Sequence, residues 1–295
     1  MPKKKKNKID LETLRTKLKL KSIQEKLKFD EKFPHAKVIG AGILAGALLL
    51  GPAAVKNLPS PAPNELVAIA KSTPQDVLVT DLKSVLPANV RPLTTDQEKK
   101  LSGIFKSILG IKATGTLEGE HLNTTYGLIG AEQHLRRYPG DTIDQHADVD
   151  SPYDEGMAPG LGAWGYFAPS KDKMTLDLVQ KEKWYVVVQT LYLPDWNKRL
   201  AYLRDWYKYR KVLVVNTQNG SAVVGDVADS GPAAWTGKVF GGSPAVMESL
   251  GGQKYKVGPV VLFFLDDPNN KIPLGPVAYN VITADLAAAN IKLQQ

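Results

Sequence analysis

The sequence predicts a mainly β fold with α elements: a small β-barrel in the C-terminal half, preceded by an α/β region and an N-terminal transmembrane helix. Three observations predict it. Four runs rich in Val, Tyr and Phe (Trp184–Leu193, Lys211–Asn216, Ala222–Ala228, Val257–Leu265) are set apart by turn signals such as Asn219-Gly220. Two short helices interrupt them, one at about Trp196–Tyr209 and one opened by Ser243-Pro244 and stopped at Gly251, a pattern that favours a compact barrel. Far upstream, Val38–Val55 carries no charged or strongly polar side chain and is flanked by Lys37 and Lys56.

As a helix that apolar segment would reach about 27 Å, enough for a hydrocarbon core. Its Gly residues and Pro52 are tolerated in lipid, and Gly40, Gly42 and Gly46 offer close-packing positions. A cleaved signal peptide and a buried soluble helix are the alternatives, but residues 1–37 make a long and very basic leader for either. Those residues hold 13 Lys/Arg against 5 Asp/Glu, which accounts for the whole net charge of +8 and leaves 25 of each sign in the rest of the chain. The excess before the helix predicts a cytoplasmic N-terminus and an exported body, a single-pass protein of the cell membrane. In the tail, Leu11, Leu14, Leu18, Ile23 and Leu27 recur at helical spacing among lysines, as in an amphipathic helix on an anionic leaflet or in a solvated tail. A neutral body lacks the basic footprint that nucleic-acid binding needs.

The chain of 295 residues is long enough for a substantial core, and with no cysteine it has neither disulfides nor thiol chemistry. Its expected organisation is a tail (1–37), the membrane helix (38–55), a Pro-rich stalk (56–92), a small α/β region (93–159) and the barrel (160–295). Within the α/β region, Thr95 and Glu98 form a capping box for a helix with Leu101, Ile104, Phe105 and Leu109 on one face, ending at Gly110. Ile111–Leu117 alternates like a strand, and Tyr126–Arg137 reads as a second helix stopped by Pro139-Gly140.

Asp144, Asp148 and Asp150 crowd one acidic loop and are the weak candidates for a metal site, without the spacing of a calcium-binding loop. His121, His134 and His146 are a still weaker zinc set. Nucleophile elbows, phosphate loops, dinucleotide fingerprints and zinc-protease motifs are missing, and no cofactor is expected.

In the C-terminal half the order Val215-Asn216, Asn219-Gly220, Val227-Ala228-Asp229-Ser230-Gly231-Pro232, then Ser243 through Leu250-Gly251 and a closing GPVVLFFLDD strand resembles the RlpA-like and expansin-like double-psi β-barrels. The match is firm over 211–267 and looser from 160. The resemblance implies a cleft that binds, loosens or cleaves cell-wall glycan such as peptidoglycan. It places Asp229 at the first cleft aspartate, with Ser230, Asn216 and Trp235 as neighbouring glycan contacts. The family's second aspartate, its general acid, is replaced by Gly241, so either Asp226, Glu248 or a loop residue stands in, or the domain binds without cutting.

Asp-Ser-Gly-Pro is also a turn signature, which gives Asp229 a structural reading beside the cleft one. Strand parity sets Asp226 on the face opposite Asp229 if the strand is regular. All five tryptophans (164, 184, 196, 206, 235) fall in this half; Trp235 is the candidate for an exposed sugar platform and Trp184 for packing. The sequence therefore points to a membrane-anchored, extracytoplasmic binder or remodeller of cell-wall polysaccharide. Its alternatives are a lytic transglycosylase or glycosidase using Asp229, and a structural surface protein that docks a protein partner.

Overall fold

A computed structural model describes residues 73–146 and 156–279, within a unit spanning Ala68–Gln295. The apolar segment 38–55, the basic tail, Asp148 and Asp150 lie outside the described residues. Among the described residues no helix is long and apolar enough to cross a membrane.

Residues expected to form a stalk instead fold as helix α1, Pro74–Val85. Thr73 caps it reciprocally with Asp76, and Leu78 and Leu82 on its inner face are fully buried. Helix α2 follows at Thr95–Leu109. Its capping box lies one residue earlier than the sequence implied, between Thr94 and Gln97, which frees Glu98 to turn inward. Gly110 closes the helix in the left-handed conformation, at φ 69°.

Six strands form a closed, mixed β-barrel, an architecture compatible with a double-psi barrel. They are β4 (Tyr126–Ala131), β5 (Tyr185–Val188), β6 (Lys211–Asn216), β7 (Ala222–Ser230), β8 (Phe240–Gly242) and β9 (Val257–Leu265). The circuit runs β9-β4-β8-β5-β7-β6 and back to β9. The β4–β8 and β5–β7 pairs are parallel and the other four antiparallel. Small strands β1 (Ala113–Thr114) and β10 (Gly275–Pro276) extend the sheet along β9 and β7. A separate ribbon pairs β2 (Thr116–Leu117) with β3 (Glu120–His121).

Period-2 alternation sorts the side chains into two cores. Ile129, Val186, Val188, Val212, Val214, Val227, Leu262 and Phe264 fill the barrel interior. Leu213, Val215, Val224, Val261 and Phe263 face outward, where the apolar sides of α1 and α2 cover them. The described parts of the expected stalk and α/β region therefore belong to the barrel's own core.

The helix expected at Tyr126–Arg137 is instead strand β4 and an irregular segment after it. Gly127 and Gly130 weaken a helix there, and their missing Cβ atoms let the side chains of Val239 and Lys238 lie flat across the strand. Pairing with β8 on one edge and β9 on the other then decides the conformation. The run from Trp184 to Leu193 is a strand only over Tyr185–Val188 and continues as a 3-10 turn at Thr190–Tyr192. Helix α3 (Leu176–Lys183) precedes it, α4 spans Leu200–Tyr207, and α5 spans Pro244–Gly251 with Ser243 as its cap.

Candidate functional site

One row of residues crosses the outer face of the barrel on four adjacent strands. Gly130 of β4 pairs with Gly241 of β8, Gly241 with Val187 of β5, and Val187 with Asp229 of β7. Paired residues point to the same side of a sheet, so this row shares one outer face, where Val187 is buried in a cluster with Leu135, Tyr185 and Ala228. Val186 pairs with Val227 but Val187 pairs with Asp229, which makes Ala228 an extra residue in β7. This bulge resets the parity of the strand: Asp226 and Asp229 share the outer face rather than opposing one another.

The two glycines of the row leave room above the sheet, and charged side chains fill it. Lys238 lies across Gly130, and the carboxylate of Glu132 lies across Gly241, where a Cβ would meet Oε1 at 2.5 Å. Glu132 continues β4, anchored by its own N–H donating to the Gly242 carbonyl at 2.9 Å. Asp229 is held at the other end of the row: its Oδ1 accepts from the backbone N–H of Ala163 at 2.7 Å and of Ser230 at 2.8 Å. Burial pushes the Glu132 carboxyl above its ordinary range; Lys238 draws it back and the charge of Asp229 adds to the rise. Burial raises Asp229 as well, against the pull of its two N–H donors.

The rim beside Asp229 is aromatic. After the turn at Gly231-Pro232, a 3-10 helix at Ala234–Thr236 presents Trp235, 89% exposed. The Tyr192 hydroxyl accepts from the Ala234 N–H at 3.0 Å, and Tyr192 is itself exposed. Gln189 ties this rim to the barrel by donating to the carbonyls of Pro232 and Lys238. Ser230 reaches the Thr190 hydroxyl at 2.5 Å on the same rim.

Asn216 does not join this surface. It is 1% exposed, donates to the Leu250 carbonyl at 3.0 Å and accepts from the Gln218 N–H at 2.9 Å, a structural Asx turn at the far end of β7's partner strand. Trp164, Trp196 and Trp206 are buried, and Trp184 packs against the core as expected. Glu248 sits on α5, in a crevice with Met247 and Tyr255.

Asp226 lies at the floor of a separate groove of about 610 Å³ between α3 and residues 270–274. Neither of its carboxylate oxygens has a hydrogen-bond partner, and burial pushes its pKa well up.

Beside the Glu132 segment, an ionic cluster gathers metal-type donors: His134, His146 and Glu182 lie within 4.8 Å of one another. Glu182, fully buried at the end of α3, faces His134 Nδ1 at 2.9 Å and His146 Nδ1 at 3.2 Å, and accepts from Arg137 Nε at 3.0 Å. Asp141 Oδ2 meets His146 Nε2 at 2.5 Å. Despite its burial, Glu182 is held down to about 2 by the two histidines, and their partner carboxylates hold His146 up against the cost of burial. With Arg137 on Glu182 and His146 between two carboxylates, these donors already form a charge-compensated staple. His121, the third histidine named from sequence, lies apart and faces Glu98 at 2.9 Å. Asp144 is exposed on the 3-10 helix Ile143–Gln145 that His146 caps.

Glu132, Lys238 and Glu182 escaped the sequence reading. Glu132 falls in the segment whose sequence predicts a helix, and the signal that points to it is the pair Gly130 and Gly241, two bare positions in facing strands. No known protein-family model matches this chain, and no curated protein is significantly similar to it.

Proposed function

We propose that this chain is a membrane-anchored, extracytoplasmic protein whose barrel binds cell-wall polysaccharide, with peptidoglycan as the substrate class. The observation that carries the reading is the rim on which Asp229 and Ser230 lie beside the exposed rings of Trp235 and Tyr192. Carboxylates that accept from sugar hydroxyls, next to an aromatic plane on which a pyranose can stack, are the elements of a glycan-binding cleft. The resemblance to RlpA-like barrels supports the same reading: the chain order of strands, Asn-Gly turn, Asp-Ser-Gly-Pro turn and capped helix matches the elements described above. Residues 38–55 serve as the anchor, with the basic tail inside and the barrel outside.

The test is a pull-down of the full chain in detergent on purified insoluble peptidoglycan. Retention that Trp235→Ala weakens supports the reading. A folded protein that stays in solution sinks it.

A further inference from the structure

We propose that the groove floored by Asp226 binds a primary ammonium group carried on an aliphatic arm, as at the end of a lysine-type side chain, with a carboxylate of the same ligand at the rim. The inference goes beyond the polysaccharide reading and does not depend on it: neither Asp229 nor Trp235 lines this groove.

Asp226 is a carboxylate without a counter-ion. It is 1% exposed on β7, and neither of its oxygens has a hydrogen-bond partner among the described residues. Two lysines stand near it, and both are engaged elsewhere. Lys181 of α3 is paired with Asp177 at 2.7 Å. Lys211 sits directly across from Asp226 in the β6–β7 pair, yet its ammonium turns to Asp267 at 3.1 Å and to the Ile272 carbonyl. A buried carboxyl left in that state is costly, burial pushes its pKa well up, and a cation supplied from outside is what it lacks.

The groove has the size and the lining for such a ligand. Its volume of about 610 Å³ is that of a small-molecule site. Leu176, Ile272 and Leu274 give apolar walls for methylene groups, and Leu176 is 85% exposed. Asp226 has almost no exposed surface, so only the narrow end of a ligand reaches it, once the unbranched side chain of Lys181 yields. An ammonium is that narrow, and its N–H groups suit two oxygens that have no other donor. Above them, Lys271 is exposed on the groove wall and forms no ion pair among the described residues, which leaves a cation to meet a carboxylate. A free acid at the floor and a free base at the rim complement a zwitterion with an apolar stem between its charges.

Nothing in the described fold uses the charge of Asp226. Asparagine would fill the same space without it, so the carboxyl weakens the body near neutral pH and gains its counter-charge only when a ligand binds. A side chain that works against folding and lines a groove is the mark of a binding site rather than of packing.

The experiment titrates the isotope-labelled full chain in detergent with Nα-acetyl-lysine, which carries an ammonium on an aliphatic arm and a carboxylate, and with Nα-acetyl-norleucine, which lacks the ammonium. Calorimetry reads the affinity and amide NMR shifts locate the site. The expected result is saturable binding of the lysine compound with shifts centred on residues 176–181 and 270–274, and binding of the norleucine compound that is roughly 10-fold weaker or worse. Asp226→Asn, shown folded by circular dichroism, should lose roughly 10-fold or more for the lysine compound. Lys271→Ala should weaken Nα-acetyl-lysine and leave its C-terminal amide unaffected. Equal binding of the two probes, or Asp226→Asn that binds as tightly as wild type, overturns the ammonium site. Nα-acetyl-lysine binding unchanged by Lys271→Ala overturns the carboxylate contact at the rim. No saturable binding, or shifts confined to other parts of the chain, overturns the whole inference.

Discussion

Glu132 occupies the space that a side chain at Gly241 would need: a Cβ on Gly241 would come to 2.5 Å from Glu132 Oε1 and 2.6 Å from its Cγ. The two positions therefore form one steric unit although they belong to different strands. Gly241→Ala should destabilise the protein by about 1–3 kcal/mol through overpacking, and most of that loss should vanish in the Glu132→Ala background. Urea unfolding of the four proteins in the cycle checks this. Additive losses would mean that the two side chains do not compete for space.

The five tryptophans should divide sharply in mutagenesis. Trp235, 89% exposed, should change stability by less than about 0.5 kcal/mol when cut to alanine. Trp206, buried against Tyr207 and Phe264 and bonded through its indole N–H to Glu118, should cost about 3–5 kcal/mol. Thermal or denaturant unfolding of the two variants separates them.

The Glu182 cluster predicts a mildly acidic optimum of stability. Glu182 is depressed to about 2, so its contribution is present above the ordinary carboxylate value and is lost as pH falls toward 2. His146 is raised, so its contribution is complete below the ordinary histidine value and fades as pH climbs through its folded one. Between roughly pH 4.5 and 6.5 both are in force. Glu182→Gln should cost about 3–5 kcal/mol by stranding His146 and Arg137, and should flatten this dependence in unfolding measured from pH 3 to 8.

Asp226 carries the opposite sign. Its folded pKa is raised well above the unfolded one, so ionisation works against folding as pH rises beyond the usual carboxylate range. Asp226→Asn should therefore stabilise the protein near pH 7, by about 1–3 kcal/mol, and have little effect near pH 3. A variant less stable than wild type at neutral pH would show that Asp226 has a partner in solution.

Much of the barrel was legible in the sequence because its signals are local. Val257–Leu265 is bounded by turn residues and apolar throughout, and Ser243-Pro244 is a helix start whatever surrounds it. Tyr126–Ala131 was misread because its conformation is set by neighbours more than a hundred residues away: Gly241 and Gly242 on one side, Val257–Val261 on the other. The candidate site divided in the same way. Asp229 and the exposure of Trp235 followed from a turn motif, whereas Glu132 belongs to the site only through strand pairing. Asn216 is polar and sits in a motif, yet its amide is consumed by the Leu250 carbonyl, a contact that only the folded chain displays.

Strand β9 has one further consequence. It pairs with β1 and β4 along one edge and with β6 along the other, so the last long strand to be made is the one that closes the circuit. Until residue 265 has been synthesised, β4 and β6 each have an edge with no partner, and the apolar sides of α1 and α2 lack the part of their wall that Val261 and Phe263 supply. Closure of the barrel therefore waits on its C-terminal end, and a chain released short of β9 is left as an open, aggregation-prone sheet rather than a smaller working domain.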